Sequence, residues 1–143
     1  EHVLPRSRAT QPSTASADPD PGFWNDLAGR LRGDTRDAAL TEAQQRIDHS
    51  PSRHLRFTRS VALAEAAATA GEHALAAHLF AGLSLEAERT SLDQWDPPLV
   101  VRCLAGAARS HHRRGNAAAR DAALQRLSHL DAPATAALLA ELP

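Results

Sequence analysis

The chain has 143 residues, room for one domain with a modest core, and its net charge of -1 gives no global field to draw nucleic acid or an anionic membrane surface. Aromatic residues make up 3% and tyrosine is absent, which argues against β-rich folds and base-stacking platforms. Cys103 is the single cysteine, so no intrachain disulfide can form, and no apolar run approaches the roughly 18 residues that span a bilayer.

Residues 1–21 contain four prolines, Pro5, Pro12, Pro19 and Pro21, among Ser, Thr and Asp. That composition reads as a linker or arm, held against a neighbouring subunit or left from a tag. The start at Glu1 without methionine reads as a piece of a longer chain, and residues 22–143 read as one α-helical oligomerisation domain.

Helical periodicity begins at Pro21. Trp24, Leu27, Ala28 and Leu31 fall at i, i+3, i+4 and i+7 on one face of a helix that ends at Gly33. Asp34 is placed to cap a second helix with the stripe Leu40, Ala43 and Ile47, closed by Ser50-Pro51. A third runs from about Ser52 to Ala70 with Leu55, Ala62, Leu63 and Ala66 on one side, and Gly71 supplies its left-handed stop. The fourth, about Glu72 to Leu92, shows two apolar rows, Leu75/Leu79/Gly82 and Ala76/Phe80/Leu83/Ala87, implying contacts on two sides. Pro97-Pro98 opens a fifth helix, so apolar from Leu99 to Ala108 that part of its burial is expected from another subunit. Gly115-Asn116 ends it, a sixth runs to about Leu130, and Pro133 starts a last short one.

These signals predict an all-α fold of six or seven helices in stacked antiparallel hairpins. Around Gly71, Ala64, Ala76 and Phe80 sit where the tetratricopeptide repeat wants small, small and aromatic residues; around Gly115 the same offsets give Ala108, Arg120 and Leu124, a weaker match. The spacing of the two glycines exceeds that repeat's period, so the packing is predicted to be tetratricopeptide-like without being a true array.

Chemistry-bearing residues do not converge. His49/His54 and His73/His78 are five apart and His111-His112 adjacent, none with the i, i+3 or i, i+4 geometry of a helical metal-ligand pair. Cys103 sits in the most apolar helix, where burial disfavours its reactive thiolate. Glu86 and Glu88 are two apart on a helix and do not face each other. No catalytic, cofactor-binding or metal residue is assigned, and the reading is not an enzyme. Arg53, Arg56 and Arg59 form an i, i+3, i+6 stripe, a solvated face or a set of intersubunit ion pairs to Glu86, Glu88 or Asp96.

The run Arg53-His54-Leu55-Arg56-Phe57-Thr58-Arg59-Ser60-Val61-Ala62-Leu63-Ala64, then Ala70-Gly71, then Leu92-Asp93-Gln94-Trp95-Asp96-Pro97, resembles the C-terminal domain of TssA (ImpA-related) proteins of the bacterial type VI secretion system. The resemblance spans roughly Phe23 to Arg113. It implies a cytoplasmic component whose C-terminal domain builds a ring-like homo-oligomer, cyclic or dihedral, that organises baseplate and contractile sheath assembly, with baseplate, sheath or tube proteins as partners. It carries over no enzymatic residue and no cofactor, and it implies neither nucleic-acid binding nor membrane insertion. Leu75, Leu79, Trp95, Leu99, Val100 and Leu104 are the expected apolar contributors to core and interface, with Trp95 anchoring the turn between the fourth and fifth helices. The alternative is a monomeric tetratricopeptide-like adaptor that binds a peptide or partner protein.

Overall fold

The computed structural model describes residues 20–143, and every regular element in them is helical. The seven α-helices are α1 (Pro21–Leu31), α2 (Arg36–Asp48), α3 (Arg53–Thr69), α4 (His73–Thr90), α5 (Pro97–Arg113), α6 (Ala117–Leu130) and α7 (Ala132–Glu141), with a 3-10 turn at Leu92–Gln94. The arm expected over residues 1–21 lies outside the described residues except for its last two. Of these, Asp20 makes an ion pair with Arg46 on α2.

Local chemistry sets most helix ends. Side chains of Ser52, Asp96, Asn116 and Asp131 accept the backbone N–H of Leu55, Leu99, Ala119 and Ala134, capping α3, α5, α6 and α7. Pro stands in the first turn of α1, α5 and α7, where its missing N–H costs nothing. The expected Asp34 cap is not used. Gly33 to Thr35 form a turn in which Arg36 N–H bonds Gly33 O, so the cap position falls to Thr35, whose hydroxyl donates to Arg30 O instead.

The two glycine turns are built alike. Gly71 and Gly115 sit at φ +88° and +73°. The residue after each donates five back, Glu72 N to Ala67 O at 2.8 Å and Asn116 N to His111 O at 2.9 Å. Each glycine itself donates three back, completing a motif that satisfies the last carbonyls of α3 and α5. Both turns fold their flanking helices back on each other, pairing α3 with α4 and α5 with α6. The fourth helix stops at Thr90, short of the expected Leu92, because Ser91 takes a left-handed conformation at φ +53° and the chain tightens into the 3-10 turn.

The most extensive helix contact is α5 on α6, followed by α4 on α5 and α3 on α4; α1 lies mainly on α3, and α3 also touches α5. Leu27, Val61, Ala64, Ala76, Phe80, Val100, Cys103, Leu104 and Leu127 form one continuous core. Leu99, Val100 and Leu104 are only 3%, 1% and 1% exposed, so the apolar side of α5 is covered by its own chain and needs no second subunit. The outer residues of α5 are tied by ions instead: Arg102 holds Glu65 on α3 and Arg109 holds Glu141 on α7. Close approach of α4 and α5 rests on Gly106, whose missing side chain leaves room for the ring of Phe80.

Candidate interaction surface

From His73 through Leu85, α4 contains no arginine, aspartate or glutamate. Its inner row, Ala76, Ala77, Phe80, Leu83 and Ala87, is buried, while Ala74, His78, Ala81, Gly82 and Leu85 are exposed on the opposite side. Leu85 is 47% exposed, and Leu75 and Leu79 lie half-buried at the edge of the core. The result is a smooth, uncharged helix face whose small side chains allow close approach of another backbone. Beside it runs an open groove of about 650 Å³ between α4 and the start of α6, with Ala77, Ala81 and Ala119 in its wall and His78 and Arg114 at its rim. Charge borders this face at both ends: Arg114 lies across the groove from Ala77, His78 and Ala81, and Glu88 and Arg89, both exposed, stand in the last turn of α4.

A second exposed apolar group is Trp95, at 56% exposure. Its ring lies 4.8 Å from the His54 imidazole, centroid to centroid, at a tilt of 58°. His54 in turn hydrogen-bonds Asp96 through Nε2 and Oδ2, and both side chains are largely buried. Asp96 therefore serves twice, capping α5 through Oδ1 and fixing the first turn of α3 through Oδ2. Only the fold brings residues 54 and 96 together, and no spacing rule pointed to the pair.

The other candidate ionic residues divide by where their charge goes. Arg59 donates through Nη1 to Arg46 O at 2.8 Å and Ser50 Oγ at 3.0 Å, tying α3 to the end of α2 within the subunit. Arg56 is 3.7 Å from Asp48 with both side chains about half exposed, and Arg53 is exposed. Glu86 is half-buried, and Glu88 reaches Arg126 only at 4.0 Å. Arg53, Arg56 and Glu88 thus face outward, whereas Arg59 and Asp96 serve the subunit itself. Leu85 escaped the sequence reading because it falls in neither apolar row of α4; its signal was the uncharged run around it.

Nothing in this surface is arranged for covalent chemistry. Burial pushes the Cys103 thiol up to about 11, and its sulfur is 3.7 Å from the Ser84 hydroxyl. Burial, with Arg114 nearby, lowers the pKa of His111. Among the described residues no group of three metal-ligating side chains converges, and no helix is long and apolar enough to cross a membrane.

Residues 6–106 match the family described as type VI secretion, EvfE, EvfF, ImpA, BimE, VC_A0119, VasJ. The chain belongs to this family. The match starts inside the segment read as an arm and ends within α5 at Gly106, so it includes all of α1 to α4 while α6 and α7 lie beyond it. It spans the Arg53 to Ala64 run, the Gly71 turn and the Trp95-Asp96-Pro97 stop. No curated protein and no solved structure matches the chain. This type VI secretion component is thus placed by its sequence family.

Proposed function

We propose that residues 22–143 of this type VI secretion protein form an assembly domain that self-associates into a closed ring in the cytoplasm and organises the baseplate and contractile sheath. The observation that supports self-association is the uncharged outer face of α4 from His73 to Leu85, with Leu85 exposed at its C-terminal end. The occupant that fits is a second α4. Two such helices crossing antiparallel near Gly82 would set Leu85 of one copy over His78 and Ala81 of the other, and would bring Glu88 toward the other copy's Arg114. An isologous contact needs this kind of self-complementarity. Leu75 and Leu79 would flank the contact, and the Trp95 rim with Arg53 and Arg56 would remain for a further contact between subunits or with baseplate, sheath or tube proteins. Leu99, Val100 and Leu104 contribute from the core.

A ring holding many tethered copies around a tubular target multiplies weak contacts through avidity, and no catalysis is required of it. The test is native mass by light scattering across a dilution series for the wild type, Leu85→Arg and Leu104→Arg. Leu85→Arg should fall to a smaller species with helicity intact, whereas Leu104→Arg should unfold, since a charge at a 1%-exposed core position has nothing to pair with. Full size for Leu85→Arg would remove α4 from the interface. A wild-type mass of 15.3 kDa at every concentration would reject the ring and leave the monomeric peptide-binding adaptor.

A further inference from the structure

Where the α3–α4 turn meets the last turns of α5, six residues line an open, shallow pocket of about 220 Å³: Ala68, Thr69, His73, Arg109, Ser110 and Arg113. Two of its polar atoms are buried without a hydrogen-bond partner, Ser110 Oγ and His73 Nδ1. Ser110 is 2% exposed, so its hydroxyl has lost water and gained nothing in exchange. Burying such an atom is unfavourable unless something in the pocket pairs with it. Arg113 is exposed, and among the described residues it makes no hydrogen bond or ion pair. The pocket also lies at the N-terminus of α4, where Glu72 provides no side-chain cap and the first turn holds no acid. Its polar groups therefore comprise a hydroxyl, an imidazole nitrogen, a planar guanidinium and the open end of a helix, a set that can receive an anion.

The charge balance selects the anion. Arg109 is already neutralised by Glu141, at 2.7 and 3.1 Å, and Glu72 is bound to Arg36. Of the two arginines that line the pocket, only Arg113 is left without an acid. One carboxylate cancels its charge, while a phosphate dianion would be left partly uncompensated. We infer that this pocket takes a single carboxylate group, the side chain of an Asp or Glu presented by a partner protein, held by Arg113 and Ser110 against the start of α4. Assigning the carboxylate to a partner protein rests on the assembly role proposed above; the pocket's chemistry does not. The site lies at the C-terminal end of α5 and Trp95 just before its N-terminal end, so it forms a separate contact point.

The probe is sodium acetate, added to the full chain labelled for amide and arginine side-chain NMR, with sodium chloride as the ionic-strength control. Acetate should give saturable shifts at His73, Ser110 and the Arg113 side chain, with a dissociation constant on the order of millimolar. Arg113→Gln should weaken that binding by about tenfold and Ser110→Ala by about threefold, while Arg114→Gln, one residue away on a different groove, should leave it unchanged. Non-saturating shifts, or equal loss in Arg113→Gln and Arg114→Gln, would reduce the site to general surface charge and overturn the inference. Tighter binding of inorganic phosphate than of acetate would overturn it too, in favour of a phosphate site. Native mass measured on the same samples separates this result from the ring: acetate binding by a monomer keeps the pocket and rejects the ring.

Discussion

Gly106→Ala tests the packing at the centre of the fold because two effects of opposite sign meet at one atom. In a helix interior, replacing Gly by Ala stabilises by about 1 kcal/mol through backbone entropy. At Gly106, however, the new methyl would stand closer to Cζ, Cε1 and Cε2 of Phe80 than van der Waals contact allows. Phe80 is fully buried, so its ring cannot swing into solvent, and relief requires α4 and α5 to separate. Overpacking costs about 1 to 3 kcal/mol, and with three ring atoms inside contact distance and no exit for the ring it should fall at about 2 to 3, so with the propensity gain of about 1 set against it we expect a net loss of about 1 to 2 kcal/mol. Urea denaturation followed by helical circular dichroism should show the midpoint falling by about 0.5 to 1 M with unchanged slope. Gly29→Ala is the control: it lies inside α1 with nothing within 4 Å of the added methyl, and should gain about 1 kcal/mol. In a Phe80→Leu background the methyl at 106 should cost less, giving a measurable coupling. If Gly106→Ala were as stable as the wild type, the α4–α5 contact would not be what that glycine permits.

Asp96→Ala should lose about 1 to 3 kcal/mol in a urea titration, since it removes the α5 cap and strands the His54 imidazole, whereas Asp96→Asn should lose less; equal losses would mean the cap contributes nothing. Cys103, with its thiol pushed up to about 11 by burial, should react with iodoacetamide at pH 8 about 100-fold more slowly in the native protein than in urea. Fast native alkylation would show that α5 opens readily. Hydrogen bonds from Arg30, Arg36 and Arg109 hold Glu42, Glu72 and Glu141 below the ordinary carboxylate pKa of 4.5. A lowered folded pKa adds stability that is present above the unfolded value and is lost as pH falls through the folded one. Thermal midpoints should therefore drop from about pH 5 downward, and less steeply in Glu72→Gln.

Assembly of the wider machine follows from surfaces, and here the molecule divides its labour. Groups that look available in sequence, such as Arg59 and Asp96, are consumed in fixing α2, α3 and α5 relative to one another. Less conspicuous ones, Leu85 on α4 and Arg113 at the end of α5, are left to face outward. Substitutions at the first kind should register as stability, and those at the second as mass or affinity.

The sequence by itself determined the helices and their stops. Gly71 and Gly115 announce left-handed caps because φ beyond +70° is cheap for no other residue, and Ser52, Asn116 and the prolines mark starts through their own local hydrogen-bonding chemistry. The run from Arg53 to Ala64 with the Trp95-Asp96-Pro97 stop also carried the family, which the match over residues 6–106 shows. The Asp34 cap and the far end of α4 were misread, because a turn that bonds internally and a serine at positive φ leave no reliable mark in composition. What only the tertiary structure decided is which faces are left over. Periodicity tells that α5 is apolar nearly all round, but not that α3, α4 and α6 of the same chain cover it. It places two apolar rows on α4, but not that the inner one is spent on Phe80 and its neighbours while Leu85 stays in solvent. His54 with Asp96, Gly106 with Phe80, and His73 with Ser110 and Arg113 are separated by 26 to 42 residues along the chain. Such pairs form only when hairpin packing fixes distance and direction together, which local propensity does not encode.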